Sequence, residues 1–447
     1  MKISRVVHDK NMRLGPAGLI MLGEMARAIG LDSVAQRTNQ GNPQITSTDI
    51  LLTMAGLLAQ GKPDFDHVKA FIGDEFFMNS LGINHVPSAA SYRQKFQNLA
   101  LHTSLADQLP ELSAKLWKKT GMEHEFIEKD ERKWVRIDID PVIYDNSDTK
   151  KEGAGWTYNK VYGFAPIFAH FANGWMINAR LNPGDISFHG PETESFILES
   201  LELAGRTCKE RKLLVHDCGL ENKKLLKTLA ELPDTDFIIK HNRRRESLKK
   251  WESLATSEGT LVVDKKAKGY QIYRGSTYRD IGDGRKMRLV YEVKLIFRKK
   301  ISKQEWLPLP VPIVSVFSVW TSLENFSVDE ILDLYRARGT SEQFHSEFKG
   351  EMAMERLPSG KFKVNSLFIL MGMLTYNMLK VLAQDMVIQK NLGLKKATRR
   401  RIKTVMNSVI FMACRLVKGA RTMKIKLSCS KAWHEWFESL FMRLKQA

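Results

Sequence analysis

The segment Lys133–Ser147, KWVRIDIDPVIYDNS, constrains the fold of this chain most strongly. Val135, Ile137 and Ile139 alternate with Arg136, Asp138 and Asp140, so the segment buries an apolar face only as a β-strand and gives its other face to charge. Next comes VYGFAPIFAHFANGWMINARL, two strand-like runs around Asn173-Gly174, a dipeptide that strongly favours a hairpin. Three antiparallel strands therefore follow one another.

Downstream, SFILESLELAG has helical periodicity, KLLVHDCG is a short buried strand ending at Asp217, ENKKLLKTLAEL is a helix and DFIIKHN another strand. Three antiparallel strands and then alternating helices and strands is the order of a ribonuclease-H-like domain. From Gly259 to about Pro312 the chain is rich in strands and turns, which predicts an inserted β-rich subdomain. Helix resumes at Ser327, where Ser327-x-x-Glu330 is a capping box. Gly339 interrupts it, and Thr340 or Ser341 is placed to cap a second helix opening near Glu342. Val364 to Ala383 is the most apolar stretch, but Asn365, Asn377 and Lys380 within it predict a buried helix over 364–384 and no membrane span. The run from Gly393 to Leu427 is expected as an amphipathic basic helix. Residues 1–125 show apolar residues at three- and four-residue steps, which suits either helix-turn-helix DNA binding or an ordinary helical bundle. The predicted fold is thus mixed α+β and α/β. It comprises a helical domain (1–125), a catalytic core in two parts (126–258 and 313–385) around a β-rich insertion (259–312), and a basic helical C-terminal region (386–447).

Lys and Arg total 69 against 50 Asp and Glu, a formal net charge of +19, which favours a polyanionic partner, with nucleic acid ahead of an anionic membrane surface. The four cysteines, Cys208, Cys218, Cys414 and Cys429, have neither zinc-site spacing nor the density of a secreted disulfide scaffold. They predict reduced thiols and a cytoplasmic protein.

The acidic residues stand where phosphoryl transfer needs them. Such chemistry uses carboxylates from separate elements converging on two divalent ions about 3.5–4 Å apart. Mg²⁺ suits it, because it takes oxygen ligands and keeps water positions open. Asp140, or Asp138 on the same face, lies on the first strand; Asp217 ends the fourth, which in such a fold runs beside the first; Glu342 opens a late helix. Taken singly, each has an ordinary explanation as a cap or helix-dipole partner.

Tyr335, Arg338, Glu342 and Lys349 have the spacing Y-x2-R-x3-E-x6-K within LYRARGTSEQFHSEFKGEM. Steps of three, four and seven return to one side of a helix. With Gly339 between them, the four divide over two helical segments. This motif resembles the signature of the DDE insertion-sequence transposases of the Tyr-Arg-Glu-Lys group, and the resemblance extends from about Trp134 to Leu427. DIDPVIYDNSDTKKEGAGWTYNKVYGFAPIFAHF resembles the block of the family's first Asp, LLVHDCGLENKKLL that of its second, with Cys218 where Ser is common, and VNSLFILMGMLTYNML the helix after the Glu block.

The resemblance implies a ribonuclease-H-like catalytic domain interrupted by a β insertion, with Asp140, Asp217 and Glu342 as catalytic and metal-binding residues and Asp138 as the alternative first acid. It implies dependence on Mg²⁺, with Mn²⁺ as a substitute. Tyr335, Arg338 and Lys349 would hold DNA, and Trp320 is a candidate stacking platform whose other reading is a core tryptophan. The implied reaction is cut-and-paste: cleavage at terminal inverted repeats frees a 3′-hydroxyl, which attacks target DNA within a synaptic homodimer, in a prokaryotic cytoplasm at the nucleoid. Two other functions fit part of the pattern. One is a non-catalytic, domesticated DNA-binding protein, and the other a nuclease on the same fold.

Overall fold

The computed structural model describes residues 14–39, 43–244, 246–300, 306–389, 391–419 and 422–447. The first part of the predicted helical domain, residues 1–13, lies outside them. A short strand, β1 (Leu14–Pro16), precedes helices α1 (Gly18–Ile29), α2 (Leu31–Gln36), α3 (Ser47–Leu58), α4 (Glu75–Leu81), α5 (Ala89–Leu99) and α6 (Thr103–Thr120). These helices share an apolar core with the long helix Phe362–Ile388. The capping box at α3, where Thr46 and Asp49 bond each other's backbone amides, fixes its start.

Then come β2 (Phe126–Lys129), β3 (Arg132–Pro141), β4 (Tyr144–Asp145), β5 (Gly155–Trp156), β6 (Tyr162–Phe164), β7 (Ile167–Phe171) and β8 (Met176–Arg180). After α7 (Pro191–Gly205) follow β9 (Arg211–His216), α8 (Lys223–Glu231), β10 (Thr235–Lys240), α9 (Leu248–Glu258), β11 (Thr260–Lys265), β12 (Tyr270–Asp280), β13 (Lys286–Lys300) and β14 (Trp306–Thr321). The chain ends with α10 (Val328–Arg336), α11 (Ser341–Ser346), α12 (Phe362–Ile388), α13 (Ile402–Val405), β15 (Ala413–Lys418), β16 (Met423–Leu427) and α14 (Lys431–Gln446).

A ten-stranded mixed sheet organises the molecule in the order β11-β12-β13-β14-β10-β9-β3-β7-β8, with β2 also on β3. β7 runs antiparallel to β3, whereas β9 is parallel to β3 and β10 parallel to β9. The β-rich stretch after Gly259 builds no sheet of its own. It extends the central sheet, because β14 pairs antiparallel with β10 through Ile238↔Thr321, Ile239↔Trp320 and Lys240↔Val319.

The alternation in β3 sorts two cores. Val135, Ile137 and Ile139 enter the main core with Leu214, Phe237 and Ile239. Trp134 on the other face joins Leu213, Val215 and Ile238 beneath Ile331, Leu332 and Tyr335 of α10. The charged face is therefore buried as well: Arg136 is 7% exposed and Asp138 fully enclosed.

The apolar α12 is buried along most of its length, and its polar residues explain themselves. Asn377 accepts from the Met176 amide and donates to the Met176 carbonyl at 3.0 and 2.8 Å, closing the open edge of the sheet at β8. Lys380 donates to the Asn173 carbonyl at 2.9 Å, and Asn365 exchanges bonds with the backbone of Ser359.

The C-terminal tail corrects an expectation. Its basic run is not one helix: after α13 and a π-turn at Met406–Ile410, the chain forms the β15–β16 hairpin, and β1 adds to β15 as a third strand. Cys414 and Leu416 are buried while Ala413 and Arg415 are exposed, a period of two that the edge of β1 captures. Helical structure returns only at α14.

The β7–β8 connection shows how the hairpin bears on the site. Gly174 has a φ of 88°, and a Cβ there would meet the Phe344 ring of α11 at 2.6 Å. Gly174→Ala should destabilise the protein by about 1–3 kcal/mol in denaturant titrations, through left-handed strain and the displaced ring. An unchanged midpoint would show that the turn yields freely.

Candidate active site

β3 and β9 run in parallel register from Trp134↔Arg211 to Ile139↔His216. One step further along each chain stand Asp140 and Asp217, so the pairing itself brings two carboxylates together at one edge of the sheet. α10, the 3₁₀ turn Ala337–Thr340 and α11 carry the rest of the site, and α10 packs on the Trp134 face. Ser327 and Glu330 form the expected capping box at the start of α10. The cap expected at Thr340 or Ser341 is not made; Thr340 donates instead to the Ala337 carbonyl at 3.1 Å.

Arg338 binds Asp140 at 2.6 Å. Burial pushes the Asp140 carboxyl up to about 6; Arg338 opposes this, and Asp217, Asp138 and Glu342 add to it. All these acids thus act on one locus. Asp217 behaves differently. Burial pulls its pKa up, but the Cys218 amide, Lys240 and Arg338 hold it below the usual carboxylate value. The Cys218 amide donates to it at 2.7 Å, Lys240 lies at 3.3 Å and the Tyr335 hydroxyl donates at 3.5 Å. Glu342 is exposed in the first turn of α11.

Asp138 is separated from this edge by depth. It is fully enclosed, bonded to Arg136 at 3.1 Å, and raised to about 6 by burial against the pull of Arg136 and Arg338. Asp140, with its side chain 18% exposed, is the reachable acid of the two.

The other motif residues scatter. Tyr335 is packed in the second core with its hydroxyl toward Asp217, and burial followed by Asp217 raises its phenol. Lys349 points elsewhere: it donates to the Ile143 carbonyl at 2.9 Å and pairs with Glu355 at 2.8 Å. A π-turn at Glu347–Glu351 breaks the helical phase, so the seven-residue step from Glu342 does not return to the same face. Trp320 is no surface platform. It lies on the Ile239 face, 5% exposed, with its indole donating to Glu221 at 3.2 Å. The structure supports the core reading of this residue, because its position in register turns it into the main core.

Several contributors carry no motif. Lys240 ends β10 beside Asp217, a position that the parallel order of strands implies. His345 is buried 3.9 Å from Asp140, and burial followed by Arg338 lowers it to about 3. Two arginines of the RRR run pair with acids of this segment: the largely buried Arg399 with the enclosed Glu347 at 2.5 Å, and the exposed Arg401 with Glu351 at 2.6 Å. These pairs pin the segment that follows Glu342.

The donor set at this edge is carboxylate oxygen, which suits a hard divalent cation. Among the described residues no three acidic, histidine or cysteine side chains already converge as a metal cage. Asp140 and Asp217 are neighbours in register, and Glu342 lies within their electrostatic reach.

Residues 14–447 match a family described as Transposase DDE domain group 1. No curated protein matches the chain. Among solved structures, the cryo-EM structure of the piggyBac transposase synaptic complex with hairpin DNA is similar at 11% identity and a TM-score of 0.40, covering 96% of this chain and 79% of that chain.

Arg399→Ala should remove the partner of an enclosed carboxylate and lower stability by about 3 kcal/mol at pH 7. Burial already raises the pKa of Glu347 while Arg399 opposes it, so in the variant the native state holds its proton to higher pH than the unfolded state does. The deficit should therefore be small near pH 5 and grow as pH rises. Unfolding curves at both pH values check the sign.

Proposed function

This chain belongs to the DDE transposase family, group 1, and is a DNA transposase, in which we propose that Asp140, Asp217 and Glu342 are the catalytic carboxylates. The observation that carries this assignment is the parallel pairing of β3 with β9, which sets Asp140 and Asp217 side by side beneath the helices that present Glu342. The strand order β8-β7-β3-β9-β10, three antiparallel strands followed by parallel ones, supports a ribonuclease-H-like core extended by the β11–β14 stretch.

The three carboxylates would hold divalent cations, Mg²⁺ with Mn²⁺ as a substitute, which when bound supply Lewis-acid stabilisation of the phosphodiester oxygens. The chain's own residues do the rest. Burial raises the Asp217 carboxyl, but the Cys218 amide, Lys240 and Arg338 hold it below the usual carboxylate value, so it is ionised at neutral pH. Arg338 and Lys240 bring positive charge to a site that must admit a polyanion, and the Tyr335 hydroxyl bonds beside them. Lys349 orders the Ile143 segment that leaves β3, and so helps to fix Asp140. Cleavage at transposon ends would release a 3′-hydroxyl, and the same centre would direct it at target DNA. Terminal inverted repeats, a synaptic homodimer and action at the prokaryotic nucleoid complete the proposal, together with membership of the Tyr-Arg-Glu-Lys group.

Asp140→Asn, Asp217→Asn and Glu342→Gln should each reduce Mg²⁺- or Mn²⁺-dependent nicking of a cognate end by about 10³-fold or more, with gel-shift affinity retained. Nicking that survives in Asp217→Asn would remove that residue from the centre. Retained joining of a pre-cut 3′-hydroxyl end by the wild type separates a transposase from a simple nuclease.

The pH profile offers a second check. Because Asp140 sits near 6 in the metal-free site and must lose its proton to hold a cation, nicking at limiting Mg²⁺ should fall as pH drops through about 6, and saturating Mg²⁺ should move that limb to lower pH. Arg338→Gln removes a cation that lowers this value, so the acidic limb should move to higher pH. A limb that stays in place would show that another group sets it.

A further inference from the structure

Arg136 and Asp138 are charged groups that the proposed reaction does not use, and both are enclosed: the Arg136 side chain is 9% exposed and that of Asp138 fully buried. They lie on the face of β3 that ends in Asp140, since side chains two residues apart on a strand point the same way. A guanidinium is kept out of water only where its charge and donors are taken up. The Nη2 amino group of Arg136 lies 3.1 Å from Asp138 Oδ2, 3.3 Å from the Ala337 carbonyl and 3.5 Å from the Thr340 hydroxyl. One side chain of the first long strand thus reaches both ends of the 3₁₀ turn Ala337–Thr340.

That turn has little else to hold it. None of its residues is buried, a Cβ at Gly339 would meet nothing within 4 Å, and α11 begins without a side-chain cap. Phe344 and His345 are buried and seat the later part of α11, but Glu342 stands in its first turn, directly after the 3₁₀ turn. The Ala337 carbonyl is at the end of α10, where a helix leaves acceptors without amide partners, and a cation suits the negative end of the helix. Thr340 donates to the same carbonyl at 3.1 Å and accepts from Arg136, so the three groups bond one another. Arg338, within the same turn, binds Asp140 at 2.6 Å. Arg136 therefore ties to β3 the short stretch of backbone that presents both Arg338 and Glu342.

We propose that Arg136 is a positioning residue: with Asp138 as its counter-ion, it clamps the turn 337–340 onto β3 and so sets Glu342 and Arg338 relative to Asp140. Asp138 is then an anchor beneath the centre and no ligand of a cation. The consequence for cutting rests on the assignment of Asp140, Asp217 and Glu342 as the catalytic carboxylates, whereas the clamp itself does not. A reacting group displaced by about 1 Å costs on the order of a hundredfold in rate, which sets the scale of the clamp's contribution.

Removing one partner of a buried ion pair strands the other charge, whereas replacing both by apolar residues of similar size is often neutral for stability. The test therefore uses Arg136→Met/Asp138→Leu in the full chain, with a cognate end duplex and Mn²⁺. With a thermal melt like that of the wild type, this variant should exchange the amides of residues 337–346 about tenfold faster. Its kcat for nicking should fall by about a hundredfold, while its Kd for the duplex stays within about twofold. Unchanged exchange overturns the clamp, and faster exchange with unchanged kcat overturns its part in positioning. If the double variant melts early, Thr340→Val decides: it removes one contact, should speed the same exchange and should lower kcat by about threefold to tenfold, and a match to the wild type in both overturns the proposal. Asp138→Asn, which keeps an acceptor for Arg136, should bind Mn²⁺ within about twofold of the wild type below its own melting temperature. A loss of Mn²⁺ affinity as large as that of Asp140→Asn would make Asp138 a ligand and overturn the anchor. Normal nicking by Asp140→Asn removes the carboxylate assignment instead, and faster exchange in the double variant then still supports the clamp.

Discussion

The parallel pairing of β3 with β9 is the constraint on which the site depends. Neighbouring strands lie about 4.8 Å apart, and two ionised carboxylates at that spacing repel by roughly 3 kcal/mol at an effective dielectric of about 20. The fold tolerates this because cations stand on the same face. Arg136 meets Asp138, Arg338 meets Asp140, and Lys240 meets Asp217. The result is unequal. Asp217 gains an amide donor and lies below its ordinary value, whereas Asp140, more enclosed, is lifted to about 6. Two acids of one edge thus differ in how firmly they hold a proton, for reasons of local donors and burial.

A sheet of this width needs its margins closed, and the helices that close it also position the acids. Asn377 of α12 takes up both backbone groups of Met176 at the β8 edge, and Lys380 of the same helix takes the Asn173 carbonyl in the adjoining turn. That turn in turn receives the Phe344 ring of α11, against the glycine that only a missing Cβ allows. The position of Glu342 is therefore linked through Phe344, Gly174 and Asn173 to the buried α12. Arg399 and Arg401, from well beyond α12, hold the other end of the same segment through Glu347 and Glu351.

Local patterns were legible where they are decided locally. The period-two run through Val135, Ile137 and Ile139 is β3, Asp217 follows directly on β9, Ser327 and Glu330 close a capping box, and the polar residues of the apolar α12 lie in a buried helix. What long-range packing decides was not. The charged side of β3 is roofed by α10, so Arg136 and Asp138 are enclosed although alternation alone would leave them wet. The tail of basic residues reads as helical until its alternation meets the edge of β1, some four hundred residues earlier. Trp320 cannot be assigned a face until the register with Ile239 is known.

The signature from Tyr335 to Lys349 shows why spacing alone describes a helix that does not exist as such. A continuous α-helix would place Glu342 and Lys349 on one side. Here a 3₁₀ turn separates Tyr335 from Glu342, and a π-turn begins at Glu347 before Lys349. Each change of pitch rotates the downstream side chains relative to a regular helix. Tyr335 and Arg338 consequently face Asp217 and Asp140, while Lys349 faces the Ile143 carbonyl. In this chain the stretch from Tyr335 to Lys349 passes from the sheet, over the acidic edge, to the loop leaving β3. On that path Arg338 and Lys349 act at the two ends of one short stretch of chain: one on the carboxylate of Asp140, the other on the backbone that begins three residues after it.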